Sequence, residues 1–410
     1  QELDKALQHI LHSGLDALYH LEGVSTSALA AEITTALARE VEAELKPRIG
    51  AVVLTGTALT VPEALRARVT DVHLPAPSEA EFRALLSQII RDVAERQHVE
   101  VMLTDEDTTT LMHHLSGLTL MEAEKILTKA LVEDGRLEAV DIQHIADHKK
   151  AIVERDGLLE YYPVEASMSD VADLRGFKAW LAQRTAVVRD PVRAQEMGLP
   201  FPKGVLLMGV PGCGKSLSAK ALASEWRMPL LRLDPSVLYN KYIGETERNF
   251  RRAMETAERM SPVVLWIDEI EKAFSTGSES DGGVSQRLLG SFLSWLQERR
   301  GDVFVIATAN DVQRLPPELV RKGRFDELFF VDLPSAETRR EILEIHLRTR
   351  ERDPADFELA EIVEMTDGFS GSELEQVVVS GLYTAFASGD LLADEHLRDC
   401  LLYTSPSPRD

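Results

Sequence analysis

The sequence predicts an α/β fold in which helices cover a parallel sheet and a smaller helical region follows. From about Leu174, short apolar runs of strand length alternate with amphipathic helical stretches, as expected for a parallel sheet. After Pro334 the alternation stops and only segments of helical period follow. The strand candidates are 205–208, 230–233, 263–267 and 303–307.

Length and composition limit the class of protein. With 410 residues the chain exceeds a typical single domain, so two or three domains are expected. A net charge of -23 disfavours nucleic acid as a partner, and no apolar run has the length of a membrane span. Two cysteines and the lack of a signal sequence favour the cytoplasm, or the plastid stroma if the source has plastids.

We expect that neither end of the sequence is a natural terminus. The sequence begins at Gln1 rather than at a methionine. Residues 400–410 resemble translated adapter sequence and do not continue the preceding helical pattern. We therefore predict a non-native tail at 400–410, outside the fold.

A glycine-rich segment between a predicted strand and a predicted helix matches the phosphate-binding pattern G-x-x-x-x-G-K-[ST], or Walker A motif. Its glycines let backbone N–H groups point at a phosphate, and the next helix adds its N-terminal dipole. We expect Lys215 to neutralise phosphate charge and Ser216 to bind Mg²⁺. The alternative is a glycine-rich turn that fits by chance. The candidate nucleotide-binding residues here are Gly209, Val210, Pro211, Gly212, Cys213, Gly214, Lys215, Ser216 and Leu217.

A later apolar strand ends in two acids, Asp268 and Glu269, as a Walker B motif does. The carboxyl ends of parallel strands form the sheet edge at which ligands bind. Asp268 is the expected Mg²⁺ partner, and Glu269 is suited to act as general base on an attacking water. The alternative is a strand that simply ends in solvated acids. Together with the phosphate loop, the acids predict ATP hydrolysis.

Polar residues after the next strand are candidates for the remaining roles. Asn310 could position the attacking water from a strand tip, although asparagine there is usually only a turn residue. Arg321 and Arg324 could reach the γ-phosphate of a neighbouring subunit as arginine fingers. The alternative for both arginines is a weak surface ion pair.

The region before the sheet resembles the back half of the same domain type. Gly117 occupies the place of Gly368 in one of three matched pairs of segments, which occur in the same order. The first copy lacks a phosphate loop and paired acids, so we expect it to be unable to hydrolyse ATP alone. The alternative is that helical segments share an apolar period in any case. The matched pairs are 51–57 with 303–310, 74–86 with 331–343, and 116–127 with 367–378.

The motifs GVPGCGKS, VVLWIDE, ATAN and LPPELVRKGRFD together resemble the AAA family of ATPases. GFSGSELE, at 368–375, is similar to the signature of that family's helical lid. Within the family, the sequence is most similar to uncharacterised AAA proteins of plastid and cyanobacterial genomes, which carry a degenerate AAA-like region in front. The resemblance implies an α/β P-loop NTPase core with a parallel sheet plus a C-terminal helical lid, preceded by a partial degenerate AAA-like domain.

The resemblance also implies ligands and roles. ATP and Mg²⁺ would bind at a boundary between subunits of a homo-oligomer, usually a hexamer. Arg321 and Arg324 match the arginine fingers, Asn310 the first sensor, and His346 the residue near the ribose.

Two further sets of residues follow from the same resemblance. Asp170, Val171 and Ala172 match the segment that meets adenine, although this chain lacks the two glycines that the family has there. Tyr242 and Ile243 resemble the first pore loop, which grips an extended polypeptide. The alternative is a buried tyrosine and isoleucine beside an ordinary turn.

We therefore predict an ATP-hydrolysing, ring-forming ATPase that remodels a protein substrate. The alternative is a nucleotide-dependent scaffold or regulatory switch that threads no substrate. We expect no nucleic acid and no membrane as partners. The predicted division is 1–150 partial degenerate AAA-like domain without a phosphate loop, 151–175 linker, 176–334 AAA α/β core, 335–399 helical lid and 400–410 non-native tail.

Overall fold

The computed structural model describes 2–13, 15–47, 49–56, 59, 61–70, 72, 77–162, 166–238, 245–274, 284–299 and 301–403. The chain divides into two compact units, Gln1–Pro75 and Ala76–Asp410. The division falls inside the region 1–150 that the sequence assigns to one domain. Within the described ranges, no helix has the length and apolar character needed to cross a membrane.

Strands and helices are numbered here in chain order. The strands are β1 Leu18–Leu21, β2 Ala51–Leu54, β3 Glu100–Val101, β4 Arg136–Leu137, β5 Glu160–Tyr162, β6 Gly204–Gly209, β7 Leu230–Leu233, β8 Val263–Ile267, β9 Val303–Ala309 and β10 Glu327–Val331. The helices are α1 Glu2–Ser13, α2 Thr26–Ala30, α3 Glu32–Leu45, α4 Glu63–Arg66, α5 Glu79–Ala94, α6 Asp105–Leu115, α7 Leu120–Asp134, α8 Ala139–Val153, α9 Arg175–Arg189, α10 Pro191–Glu196, α11 Lys215–Trp226, α12 Glu245–Arg259, α13 Glu271–Phe274, α14 Val284–Glu298, α15 Ala336–Thr349, α16 Leu359–Met365, α17 Gly371–Ser388 and α18 Asp394–Tyr403.

The first unit is built on a pair of parallel strands. β1 pairs with β2, and Leu18 lies opposite Ala51. Helices α2 and α3 connect the two strands, as a parallel pair requires. Leu7 and Ile10 of α1 pack with Val41 and Leu45 of α3 to form a small core.

The second unit contains a six-stranded sheet in the order β10-β6-β9-β8-β7-β5. All neighbouring strands are parallel except β5, which pairs with β7 in the antiparallel direction. Helices cover both faces, which explains why β8 and β9 are apolar and buried along their whole length. The four predicted strands are confirmed as β6 to β9.

Two edge strands are missing from the sequence prediction. β10 lies beside β6, and β5 lies within 151–175, which the sequence predicts to be a linker. The linker prediction is therefore wrong at Glu160–Tyr162. A three-residue strand that begins with an exposed glutamate shows neither an apolar run nor a clear alternation, so the sequence gives no strand signal there.

The C-terminal helices α15 to α18 form a lid with its own core. Leu343, Ile362, Leu374 and Leu397 contribute one buried side chain from each helix. Helix α18 continues to Tyr403, and Leu401 packs in the lid core. The expectation that residues 400–410 do not continue the helical pattern is therefore wrong for 400–403, which belong to α18.

Helices α5 to α8 repeat the order of the lid helices and also share one core. Thr119 and Glu122 form a capping box at the start of α7, as Ser370 and Glu373 do at the start of α17. The matched glycines also share a left-handed backbone, with φ of 82° at Gly117 and 77° at Gly368. These features support the interpretation of the two segments as a repeat.

The bundle α5–α8 contacts the core next to the start of β8. The Ser116 hydroxyl donates a hydrogen bond to the carbonyl oxygen of Ser261, at 3.4 Å. Lys149 is fully buried, and its ammonium donates to the carbonyl oxygen of Ser116 at 2.7 Å. Burial lowers the pKa of Lys149 to about 7. A Cβ atom on Gly117 would lie 2.6 Å from the Cα atom of Met260, so the two backbones meet closely.

We predict that Gly117→Ala lowers the free energy of unfolding more than Gly157→Ala does. Both glycines have positive φ, but a Cβ at Gly157 would meet no atom within 4 Å. Backbone strain costs roughly 1 kcal/mol at either position. The clash with Met260 should add about 1 to 3 kcal/mol at Gly117 only. Urea unfolding of the two variants checks this, and equal losses would contradict the contact.

Candidate active site

A cavity of about 800 Å³ lies at the carboxyl edge of the core sheet, between the sheet and lid helices α15 and α17. It joins the phosphate loop, the ends of β8 and β9, the segment before α9 and the lid. Most of the predicted site residues therefore share one cavity. Those that line it are Asp170, Val171, Ala172, Pro211, Gly212, Cys213, Gly214, Lys215, Ser216, Leu217, Asp268, Glu269, Asn310 and His346.

The phosphate loop curls around the ammonium group of its own lysine. Lys215 Nζ donates to the carbonyl oxygens of Gly209 and Val210, both at 2.7 Å. Gly209 and Val210 do not line the cavity, and they contact the loop's lysine through these carbonyl oxygens. Burial lowers the pKa of Lys215, whereas Cys213 and nearby carboxylates act in the opposite direction. Lys215 is a buried residue of the cavity lining.

The tight loop depends on glycine at a point of close backbone approach. At Gly209, φ is 136°, and a Cβ atom would lie 2.0 Å from the carbonyl oxygen of Val331 in β10. The next residue, Val210, donates its N–H to that same oxygen at 3.1 Å. No other residue type fits against β10 here, so the glycine of the motif has a packing role as well as a role in phosphate approach.

The lid contacts the phosphate loop at Gly212. The N–H of Ser372, in the first turn of α17, donates to the carbonyl oxygen of Gly212 at 3.0 Å. A Cβ atom on Gly212 would lie 2.2 Å from the Ser372 hydroxyl. The start of a lid helix therefore rests directly on the loop, so a change in loop conformation would be transmitted to the lid.

Hard oxygen donors meet beside the loop. The Ser216 hydroxyl lies 3.5 Å from Asp268 Oδ1, and the Thr308 hydroxyl donates to the same oxygen at 2.8 Å. A hydroxyl and a carboxylate suit Mg²⁺, which usually takes few protein ligands and completes its shell with phosphate and water. The donor set fits a nucleotide-bound Mg²⁺.

Glu269 and Asn310 are brought together at the tips of adjacent strands. Asn310 Nδ2 donates to Glu269 Oε1 at 2.8 Å, and Lys272 forms an ion pair with the other carboxylate oxygen. Glu269 has a φ of 51°, which is unusual for a residue other than glycine. Its N–H donates to the Thr308 hydroxyl at 3.0 Å. These contacts thus hold the carboxylate in a fixed orientation next to the cavity.

Two residues of this site were not singled out from the sequence. Thr308 lies within the ATAN motif, but no role was predicted for it. Its hydroxyl links Asp268 and Glu269, as described above. Glu271 is buried, and its Oε1 accepts the N–H of Asn310 at 2.9 Å. A threonine within an apolar strand and a third acid after two others carry no distinct sequence signal, so only the structure identifies them.

The two residues that follow the segment expected to meet adenine have a left-handed backbone, although neither is glycine. Asp173 and Leu174 each have a φ of 52°, although this chain lacks the glycines of the family pattern. The N–H of Asp173 donates to Glu341 of α15 at 3.3 Å. Val171 is buried beside the cavity. The local conformation therefore persists at a cost in strain.

His346 lies on the lid side of the cavity. Burial lowers its pKa, Glu375 opposes that shift, and Arg350 adds to it. Arg350 itself donates to Glu375 at 2.9 Å. At neutral pH the imidazole is therefore neutral and has one donor and one acceptor nitrogen, as contact with a ribose hydroxyl would need.

The two arginines do not line this cavity. Arg321 is exposed, and Arg324 donates to the carbonyl oxygen of Leu293 at 3.4 Å. The segment is fixed to the start of β6, because the Asp326 carboxylate accepts the N–H groups of Lys203 at 2.6 Å and Gly204 at 3.0 Å. Tyr242 and Ile243, predicted as a pore loop, lie outside the described residues.

Comparisons with known proteins agree with this geometry. The model of the ATPase family associated with various cellular activities (AAA) matches 205–333, and that of the SpoVK-like AAA ATPase, second domain, matches 80–156. An uncharacterized AAA domain-containing protein, ycf46, of Pyropia yezoensis is 36% identical over 349 residues, covering 85% of this chain and 69% of the relative. A cell division cycle protein 48 homolog of Archaeoglobus fulgidus is 38% identical over 221 residues, 52% of this chain and 30% of the relative. A proteasome-activating nucleotidase of Aeropyrum pernix is 40% identical over 208 residues, 49% and 50% of the two chains.

We predict that Asp173→Gly raises the free energy of unfolding by about 0.5 to 1 kcal/mol, because glycine adopts positive φ without strain. Its ion pair with Arg175, at 3.8 Å, is exposed and contributes little. Ala172→Gly is the matched control and should destabilise, since its backbone has no positive φ to relieve. Chemical denaturation measures both, and a loss in both variants would rule out strain at Asp173.

Proposed function

Because the chain belongs to the AAA family of ATPases and hydrolyses ATP, we propose that it is a ring-forming enzyme that remodels a protein substrate. One observation carries the proposal. The phosphate loop, the acid pair and Asn310 share one cavity, whereas Arg321 and Arg324 lie outside it. A site that needs an arginine finger would be completed only by a second copy of the chain.

The phosphate loop and Lys215 would bind the phosphates of the nucleotide. Backbone N–H groups at the start of α11 would face the β-phosphate, and the ammonium of Lys215 would exchange its contacts with loop carbonyl oxygens for phosphate oxygens. Ser216 and Asp268 would hold Mg²⁺, which neutralises charge on the phosphate oxygens. His346 and the segment at Asp170, Val171 and Ala172 would receive the nucleoside.

Glu269 and Asn310, which follow β8 and β9, would activate the attacking water. Glu269 would accept the proton of the attacking water as general base. Asn310 Nδ2, which donates to Glu269 Oε1 at 2.8 Å, would orient that carboxylate toward the attacking water. The Thr308 hydroxyl holds the backbone of Glu269, and so fixes the base relative to Asp268.

Work on a substrate would follow from the contact between loop and lid. Loss of the γ-phosphate would alter the loop at Gly212, and the α17 N-terminus that rests there would move with it. The names of two relatives, a proteasome-activating nucleotidase and a cell division cycle protein 48 homolog, support a role on protein substrates. We further propose a hexamer, and the cytoplasm or plastid stroma as its compartment.

We predict that the ATPase rate per subunit rises with protein concentration, because each site is completed by a neighbour. Lys215→Ala is the blank and should hydrolyse no ATP. Arg324→Ala mixed with wild type should lower the rate at least in proportion to its fraction, since a finger contributes on the order of 10³ to 10⁵ in rate. A steady-state ATPase assay measures both effects. A rate that is flat with concentration and does not change when Arg324→Ala is added would contradict shared sites.

We predict that Tyr242→Ala abolishes the stimulation of ATPase by denatured casein, used as a model polypeptide, while basal hydrolysis stays intact. Tyr383→Ala, which removes an exposed tyrosine from α17, is the control and should leave stimulation unchanged. The alternative is a scaffold or switch whose assembly depends on the nucleotide state. It is favoured if Tyr242→Ala has no effect and Glu269→Gln, which should trap ATP, retains full cellular output.

A further inference from the structure

An arginine on β7, the strand beside edge strand β5, lies next to the expected metal site. Arg232 belongs to β7, and its neighbours directly across the sheet are Glu160 of β5 and Trp266 of β8. Its guanidinium lies over the Trp266 ring, 5.1 Å from the ring centroid. Only 23% of the side chain is exposed. A charge at this depth needs compensation from its neighbours.

Two carboxylates compensate that charge. Arg232 Nη2 donates to Asp268 Oδ2 at 3.0 Å, and Nη1 donates to Glu160 Oε2 at 3.1 Å. The planar guanidinium thereby bridges the edge strand β5 and the acid that ends β8. Because the fork of donors is rigid, it fixes the direction of the bond to Asp268 as well as its length.

The two oxygens of Asp268 have separate partners. Oδ2 accepts from Arg232, whereas Oδ1 accepts from Thr308 at 2.8 Å and lies 3.5 Å from the Ser216 hydroxyl. Rotation of the carboxylate would break contacts on both sides. The arrangement leaves Oδ1 directed at the hydroxyl with which it would share a metal ion.

Stability alone is a poor explanation for this triad. Partly buried ion pairs often contribute no more to folding than apolar side chains of the same volume. The strand LLRL is otherwise apolar, and a methionine or leucine at 232 could pack on Trp266. An arginine in this place is better explained by what it does to Asp268.

We propose that Arg232, braced by Glu160, is a positioning residue that orients Asp268 for Mg²⁺. The inference rests on the proposed function, in which Asp268 is a Mg²⁺ ligand. Arg232 takes one carboxylate oxygen and presents the other to the metal, as hydrogen-bond partners behind metal ligands do. Glu160 lies on β5, which follows α8 directly, and the N–H of Tyr161 donates to Glu154 at 3.1 Å. The segment after the bundle α5–α8 thus supports the metal site.

The test compares nucleotide binding with and without the metal. In a Glu269→Gln background, which prevents turnover, the affinity for a fluorescent ATP analogue is measured in EDTA and in Mg²⁺. Arg232→Met should leave the affinity in EDTA unchanged and reduce the gain from Mg²⁺ by about 10-fold or more. Arg232→Lys should restore part of that gain, because it keeps the charge. Arg189→Met is the matched control, since Arg189 donates to Glu225 at the same 3.0 Å but on the exposed surface.

Each outcome bears on one claim. If the Glu269→Gln protein itself gains nothing from Mg²⁺, the proposed function fails. If Mg²⁺ raises the nucleotide affinity of the Glu269→Gln protein and raises that of its Arg232→Met variant by the same factor or more, the positioning role is overturned. An arginine that competes with the metal, or that is purely structural, would give that result. Circular dichroism checks that each variant is folded. If Arg232→Met does not fold, Glu160→Gln decides: a reduced gain from Mg²⁺ supports the proposal, and an unchanged gain refutes it.

Discussion

The parallel register of three central strands determines where the chemistry lies. Ile267 of β8 lies opposite Ala307 of β9, so the next residues of both strands, Asp268 and Thr308, are adjacent and hydrogen-bonded. Met208 of β6 lies opposite Ala309, which brings the start of the phosphate loop level with the strand tip that carries Asn310. A shift of one residue in either pairing would turn these side chains to the opposite face. The lid, the cavity and the metal donors all depend on this alignment.

The sequence predicts the part of the site that is local in the chain. The strands that carry it are buried on both faces and are therefore apolar throughout, and the loop and the acid pair follow them directly. What sequence reasoning misses depends on pairing between distant segments. Edge strand β5 has three residues, Thr308 looks like an ordinary strand residue, and the role of Arg232 is set by neighbours on two other strands.

The two helical bundles show why a shared motif does not imply a shared role. Both α7 and α17 begin with a positive-φ glycine, a buried apolar residue and a capping box. These features specify how a helix starts, and they are what the sequence similarity detects. Their surroundings differ. The start of α17 meets the phosphate loop at Gly212, whereas Gly117 before α7 packs against Met260 of the core.

Backbone strain at non-glycine residues is concentrated around the cavity. Among the described residues, five non-glycine positions have positive φ. Arg227 and Glu351 lie at or just beyond the ends of helices, where a left-handed residue commonly ends the helix. Asp173, Leu174 and Glu269 instead line the cavity. Each such position costs on the order of 1 kcal/mol or more and persists only where neighbouring structure enforces it. For Glu269, its N–H donates to the Thr308 hydroxyl and its carboxylate accepts from Asn310; for Asp173, its N–H donates to the carboxylate of Glu341 in the lid. Asp173 and Glu269 are thus held by the strand tips and the lid, the elements that form opposite sides of the cavity.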